Sequence, residues 1–174
     1  MFNLKEFIGE KAVNNALHDL TTAYAYRKPP YPNAYALVDR LRTNTPDSLQ
    51  STITDLFQQI TIYDNRATAA SVKKRKDGQY DVTVTIQTEK LRADSLGRET
   101  PLPLNDLIDV GVYGKPAEGK KIGKLLAIQR TRMKAKTGTY LFVVKEAPYE
   151  AGVDPLSYLA DRIPADNLKK VTGL

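Results

Sequence analysis

Arg130, Arg132, Lys134 and Lys136 alternate along the chain, and on an extended strand residues two apart project from one face. Such a row of cations reads first as a solvated outer sheet face or an edge strand protected by charge, and second as a candidate contact for an anionic protein surface or for lipid headgroups. No aromatic side chains are interleaved with it to stack bases, which disfavours nucleic acid. Further upstream, Gly114-Lys115-Pro116-Ala117-Glu118-Gly119-Lys120-Lys121 carries the G-x-x-x-x-G-K skeleton of a phosphate-binding loop. It lacks the following serine or threonine that would bind magnesium, and what comes next reads as a strand instead of a helix. A flexible connection between strands is the reading that remains. His18 is the sole histidine and there is no cysteine, which excludes a two-histidine metal motif, a thiolate site and a cysteine nucleophile within this chain. Asp154, Asp161 and Asp166 match no calcium-loop spacing and read as caps or as partners of Arg162. The residues thus nominate no catalytic, cofactor-binding or metal-binding group.

The elements that must position these groups are bounded by length and charge. With 174 residues, 41% of them hydrophobic, the chain has room for a helical unit attached to a sandwich of about 100 residues. No run approaches the roughly 18 apolar residues of a membrane span, and the N-terminus has no apolar signal-peptide core. A soluble polypeptide is expected. The net charge is +6, but eight cations stand against Glu118 alone between Lys115 and Lys136. The basicity is therefore a local patch.

Hydrophobic spacing divides the chain into segments 1–59, 60–150 and 151–174. In the first, LKEFIGEKAVNNALHDLTTAYAY reads as two helices parted at Gly9. Prolines 29, 30 and 32 interrupt, and Asn33 caps a further helix through Leu37, Val38 and Leu41. Tyr24, Tyr26, Tyr31 and Tyr35 surround those prolines and read as packing of the connection, with a binding surface as the alternative. Thr45-Pro46 supplies a cap and a first-turn proline for another helix, with Leu49, Ile53, Leu56, Phe57 and Ile60 on one face.

From there the period becomes two. Tyr80, Val82, Val84 and Ile86 alternate with polar residues, and Asp77-Gly78 marks a hairpin between Ala69–Arg75 and Tyr80–Leu91. Leu104, Ile108, Val110 and Val112 form another half-buried strand, interrupted on that face by Asp106. Thr139–Val144 is apolar on both faces and reads as a central strand, paired with Ile122–Met133 across a Gly138 turn. Asp154-Pro155 starts a short helix in the tail, ended by Arg162-Ile163-Pro164. The expected fold class is α+β: three to four N-terminal helices, an antiparallel β-sandwich of immunoglobulin/fibronectin type with six to seven strands, and a short helical C-terminal tail.

Two stretches carry a family likeness. TPDSLQSTITDLFQQITIYDNR with the alternating strand after it, and the ending Gly152-x-Asp154-Pro155…Asp161-Arg162-x-Pro164-x-Asp166-Asn167, occur in the order that resembles the C-terminal part of M1-type zinc aminopeptidase-like bacterial membrane proteins fused to an ABC-type transporter-permease-like region. That family holds zinc with H-E-x-x-H and a downstream glutamate, and the motif glutamate is the general base. The motif is missing from this chain. The resemblance therefore implies a non-catalytic module with a structural or docking role, whose partner is the upstream catalytic domain of the same parent and whose zinc lies only in that upstream part. It also implies a membrane-associated parent, with this region outside the cytoplasm. The alternative is a free-standing module that binds an anionic protein or lipid surface through Arg130, Arg132, Lys134 and Lys136.

Overall fold

The computed structural model describes residues 2–173. Among them are four α-helices and eight strands in two antiparallel sheets that do not close into a barrel. The chain divides into two compact units between Thr61 and Ile62. No helix of the described residues is long and apolar enough to cross a membrane.

In the first unit, α1 (Phe2–Ile8) and α2 (Glu10–Tyr24) meet at Gly9. Gly9 has φ of +90° and donates its N–H to the Lys5 carbonyl at 2.8 Å, a left-handed corner that a side chain would oppose. Asn33 Oδ1 accepts the Ala36 N–H at 3.2 Å and so caps α3 (Ala34–Thr43). Leu4, Ile8, Val13, Ala16, Val38, Leu41 and Ile53 form the core of this unit. Thr45 does not cap the last helix as expected. Its hydroxyl donates back to the Leu41 carbonyl, and a 3-10 turn (Asp47–Leu49) leads into α4 (Gln50–Phe57). The join between α3 and α4 is made by Arg42 and Gln50. Arg42 Nη1 donates to Gln50 Oε1 at 2.9 Å, and Gln50 Nε2 donates to the carbonyls of Arg42 and Thr45, both at 2.8 Å. The apolar face of α4 stops early: Ile60 is outside the helix and 55% exposed.

From the unit boundary onward, β1 (Ile60–Lys74), whose first two residues belong to the first unit, and β2 (Tyr80–Ala93) form the hairpin expected at Asp77-Gly78, with Gly78 at φ +86°. β1 begins nine residues before the expected Ala69. On its other edge β2 carries two strands end to end. β6 (Thr137–Val144) pairs with Tyr80–Gln87, and β3 (Glu99–Leu102) pairs with Lys90–Ala93. The other sheet runs β5-β4-β7-β8, from β4 (Asp106–Gly114), β5 (Leu125–Met133), β7 (Pro148–Val153) and β8 (Leu168–Lys170). Val82, Val84, Ile86 and Phe142 of one sheet and Ile108, Val110, Val112, Ala151 and Val153 of the other share a single core.

Four expectations do not hold. β5 and β6 are not a hairpin: β5 pairs with β4, β6 pairs with β2, and Lys134–Lys136 carry the chain from one sheet to the other. Gly138 is not at a turn but inside β6 opposite Ile86, where a Cβ would lie 2.7 Å from the Tyr140 hydroxyl. Nor is β6 buried on both faces, since Leu141 is 73% exposed. Among its described residues the tail likewise has no α-helix. Its first residues complete β7, a 3-10 turn (Pro164–Asp166) follows, and β8 returns antiparallel to β7.

The segment after β7 also lies along the outer edge of β1. The Tyr63 N–H donates to the Ala160 carbonyl at 2.8 Å, and the Val72 N–H donates to the Thr172 carbonyl at 2.8 Å. These are parallel bridges, Tyr63 with Asp161 and Ser71 with Thr172, so the chain end touches both sheets.

Candidate functional site

The inward row of β2 begins as Val82, Val84 and Ile86 and keeps its period of two, but the next members are Thr88 and Lys90. Both are buried. Opposite, the inward row of β4 starts one step before Ile108, at Asp106. Lys90 Nζ and Asp106 Oδ1 are 2.8 Å apart, with side chains only 7% and 12% exposed. The Tyr63 hydroxyl donates to the same oxygen at 3.1 Å, and the Lys90 ammonium stands 5.9 Å from the Tyr63 ring centre. One end of the core is thus a charged node joining β1 and β2 to β4.

Beside the node is a cavity of about 200 Å³ lined by Thr88, Glu89, Lys90, Leu102, Pro103, Leu104, Lys134 and Lys136. Its size suits a small anion or one charged chain terminus more than a drug-sized ligand. Lys136 Nζ is 2.7 Å from Glu89 Oε1. The Thr88 hydroxyl is buried without a hydrogen-bond partner. Three lysines against one glutamate give the lining a positive balance.

The predicted cation row is divided by this geometry. Arg130 Nε and Nη2 grip the two oxygens of Asp109 at 2.8 and 2.7 Å, a fork-on-carboxylate contact that fixes both side chains. Asp109 is buried. Arg132 Nη1 donates to the Asn105 carbonyl at 3.0 Å. Lys134 and Lys136 lie beyond the end of β5 and come together at the cavity. Arg130 and Arg132 are thus each engaged with another residue, whereas Lys134 and Lys136 line the cavity.

His18 is exposed on α2, 3.8 Å from Asp19 Oδ1. The glycine- and lysine-rich stretch is a loop held by Gly114 N–H to Lys124 carbonyl at 2.9 Å, and β5 follows it. Tyr26, Tyr31 and Tyr35 are all more than 70% exposed, so they do not pack the helix connection as expected.

The three tail aspartates are built into the fold in separate places. Asp154, at φ +42°, accepts the Tyr158 and Leu159 N–H groups at 2.8 and 2.9 Å. Burial pushes its carboxyl up to about 6 against two opposing backbone hydrogen bonds, from Leu159 and Tyr158, with Asp109 and Asp161 adding to the rise. The Asp161 oxygens accept the Asn65 N–H at 3.0 Å and the Ile163 N–H at 2.9 Å. With its side-chain amide oriented to suit its neighbours, Asn167 donates to the Asn65 carbonyl and to Asp161. Arg162 pairs with Glu99 instead of any of them. The Pro155 carbonyl accepts the Tyr113 hydroxyl at 2.9 Å, while burial, then Asp154 and Tyr158, raise the Tyr113 phenol. Among the described residues no group of three or more His, Cys, Asp or Glu side chains is arranged to hold a metal ion.

No protein-family model matches the chain, and no curated protein does.

Proposed function

We propose that this chain is a non-catalytic docking module of an M1-type zinc aminopeptidase-like membrane protein, and that its two-sheet unit is an immunoglobulin/fibronectin-like sandwich. One observation carries the reading. The residues of the Gly-x-Asp-Pro…Asp-Arg-x-Pro-x-Asp-Asn ending make intramolecular contacts: Asp161 and Asn167 on Asn65, the Pro155 carbonyl under Tyr113, and Asp154 around its own turn. A signature used in this way maintains a shape for a neighbour to dock on, with any peptide-bond hydrolysis left to a zinc site upstream. Incubating the purified chain with zinc and an aminoacyl reporter substrate tests the reading. No stoichiometric zinc and no cleavage are expected, and metal-dependent cleavage by the pure chain would overturn it.

A second reading is favoured by the lysine-lined cavity. In it the module stands alone and recognises an anionic protein or lipid surface, with Lys134 and Lys136 in place of the full four-cation row. Binding of that kind weakens steeply with salt. Charge reversal at Lys134 and Lys136 that left binding to anionic vesicles and to acidic peptides unchanged would remove its support.

A further inference from the structure

The edges of the two sheets are not treated alike. The outer edge of β1 is covered by the chain end through the Ala160 and Thr172 backbone bonds. β5 carries Arg130 and Arg132, β8 is three residues long and carries Lys169 and Lys170, and β3 is four residues long and contains Pro101. Short length, lysine or arginine, proline and a covering segment are the usual protections of a strand edge against pairing with another chain. β6 has none of them. Thr137–Val144 reads TGTYLFVV, with no charge and no proline, and its solvent-facing residues Leu141 and Val143 are 73% and 53% exposed.

The hydrogen-bonding parity of β6 follows from its ladder with β2. The register pairs Tyr80 with Val144 and Gln87 with Thr137, and one step further the Thr88 N–H donates to the Lys136 carbonyl at 2.8 Å. Antiparallel pairs alternate between bonded and non-bonded, so residues 136, 138, 140, 142 and 144 bond to β2. The N–H and C=O groups of Thr137, Thr139, Leu141 and Val143 then point away from the sheet. Among the described residues no backbone hydrogen bond outside the strand ladders reaches these four.

We infer that β6 is a self-pairing edge, on which two copies of the chain join by antiparallel β6–β6 pairing about a two-fold axis at Leu141. Parity and charge select a second copy of the chain as the occupant. An axis at an odd-numbered residue sets outward groups against outward groups: Leu141 against Leu141, Thr139 against Val143. An axis at Leu141 keeps residues 138–144 overlapped. It also sets Lys136 opposite Glu146 of the second copy and Lys145 opposite Thr137, so no like charges face each other. Lys136 already pairs with Glu89, and Glu146 with Lys124, which makes the seam's ends a chain of alternating sign. An axis at Val143 would set Leu141 opposite Lys145 instead. Pro148 ends any extension, because it has no N–H to donate.

A seam one strand long falls below the roughly 1,200 Å² of stable interfaces, so the expected dissociation constant is on the order of 100 µM. The test is sedimentation equilibrium of the whole chain from about 10 µM to about 1 mM, a range that brackets such an affinity. The wild type should pass from 19.4 kDa to twice that mass and stop. Leu141→Lys and Leu141→Glu each place like charges face to face at the axis and should each weaken dimerisation at least tenfold. Mixing the two variants in equal amounts should restore it, and their unchanged circular dichroism would show that both still fold. A wild type that stays monomeric throughout, or one that associates beyond a dimer, overturns the inference. So do a Leu141→Lys chain that dimerises normally and a mixture that fails to recover.

Discussion

Lys90 Nζ lies 2.8 Å from Asp106 Oδ1 with both side chains nearly out of water, and the pair ties the longest hairpin of one sheet to the central strand of the other. Removing charges from water is costly, and what keeps a buried pair is each partner's dependence on the other. Tyr63 adds a third group to the same carboxylate.

Lys90→Met is expected to destabilise the fold by about 3–5 kcal/mol, because it strands Asp106 in the core with only the Tyr63 hydroxyl and the Asn105 N–H. Adding Asp106→Leu and Tyr63→Phe to it should recover most of that loss, since no buried charge is then left unpaired and the exposed Asn105 N–H can turn to water. Urea unfolding of the single and triple variants at neutral pH measures both. A triple variant no more stable than the single one would contradict this account of the node.

Much of the architecture was legible in the residues, and the node shows where the reading stopped. The period-two rows of β2 and β4 were visible, and so was Asp106 as an interruption. Extending the β2 row by two steps places Lys90 inward as well, and opposite charges at the ends of two inward rows were the available signal. The β5–β6 error has another cause. Gly138 and the neighbouring apolar run carry every local mark of a hairpin, whereas the true partner of β6 is β2, 50 to 64 residues away in sequence. Nothing local distinguishes an outward Leu141 at a sheet edge from a buried one. The course of the tail escapes local pattern for the same reason, because Asp161 and Asn167 act on Asn65 from about 100 residues away.

Asp161→Ala should loosen the C-terminal segment before it unfolds the sheets. The substitution removes the acceptor for the Asn65 and Ile163 N–H groups and for Asn167, a loss of about 2–3 kcal/mol. Hydrogen exchange is the discriminating measurement. Amides of Tyr63, Asn65 and Val72 should lose protection, while those of β4 and β7 keep theirs. Uniform loss across the second unit would mean that Asp161 holds the whole fold instead of one edge.

Gly152→Ala is expected to be among the most damaging small substitutions in the chain. A Cβ there would run into the backbone carbonyl of Asn167, and backbone on a paired strand cannot give way as a flexible side chain does. β7 and β8 meet at this point, Gly152 opposite Leu168. At Gly111 the obstacle is the Pro155 ring, 2.8 Å from the added carbon, so Gly111→Ala should cost about 1–3 kcal/mol by overpacking. Thermal melts of the two variants should rank them in that order.

Asp154 gives the fold a pH dependence of definite sign. Its carboxyl ionises near 6 in the folded chain, against an ordinary 3.8, chiefly because it is buried. Below about 4 both folded and unfolded chains hold the proton and the group contributes nothing. As pH rises from about 4 to about 6 the unfolded chain releases its proton first, so folding loses stability through that window and the loss levels off above about 7. The total is about 3 kcal/mol at neutral pH. The Asp154→Asn chain has no such group, and although it loses part of the turn's hydrogen bonding at every pH, that offset is constant. The difference in unfolding free energy between the wild type and Asp154→Asn should therefore drift by that amount in favour of the variant between pH 4 and pH 7. Groups that do not interact with Asp154 contribute equally in both chains and cancel. A difference that stays flat across the window, or drifts toward the wild type, would mean that Asp154 is ionised as readily in the fold as in the open chain.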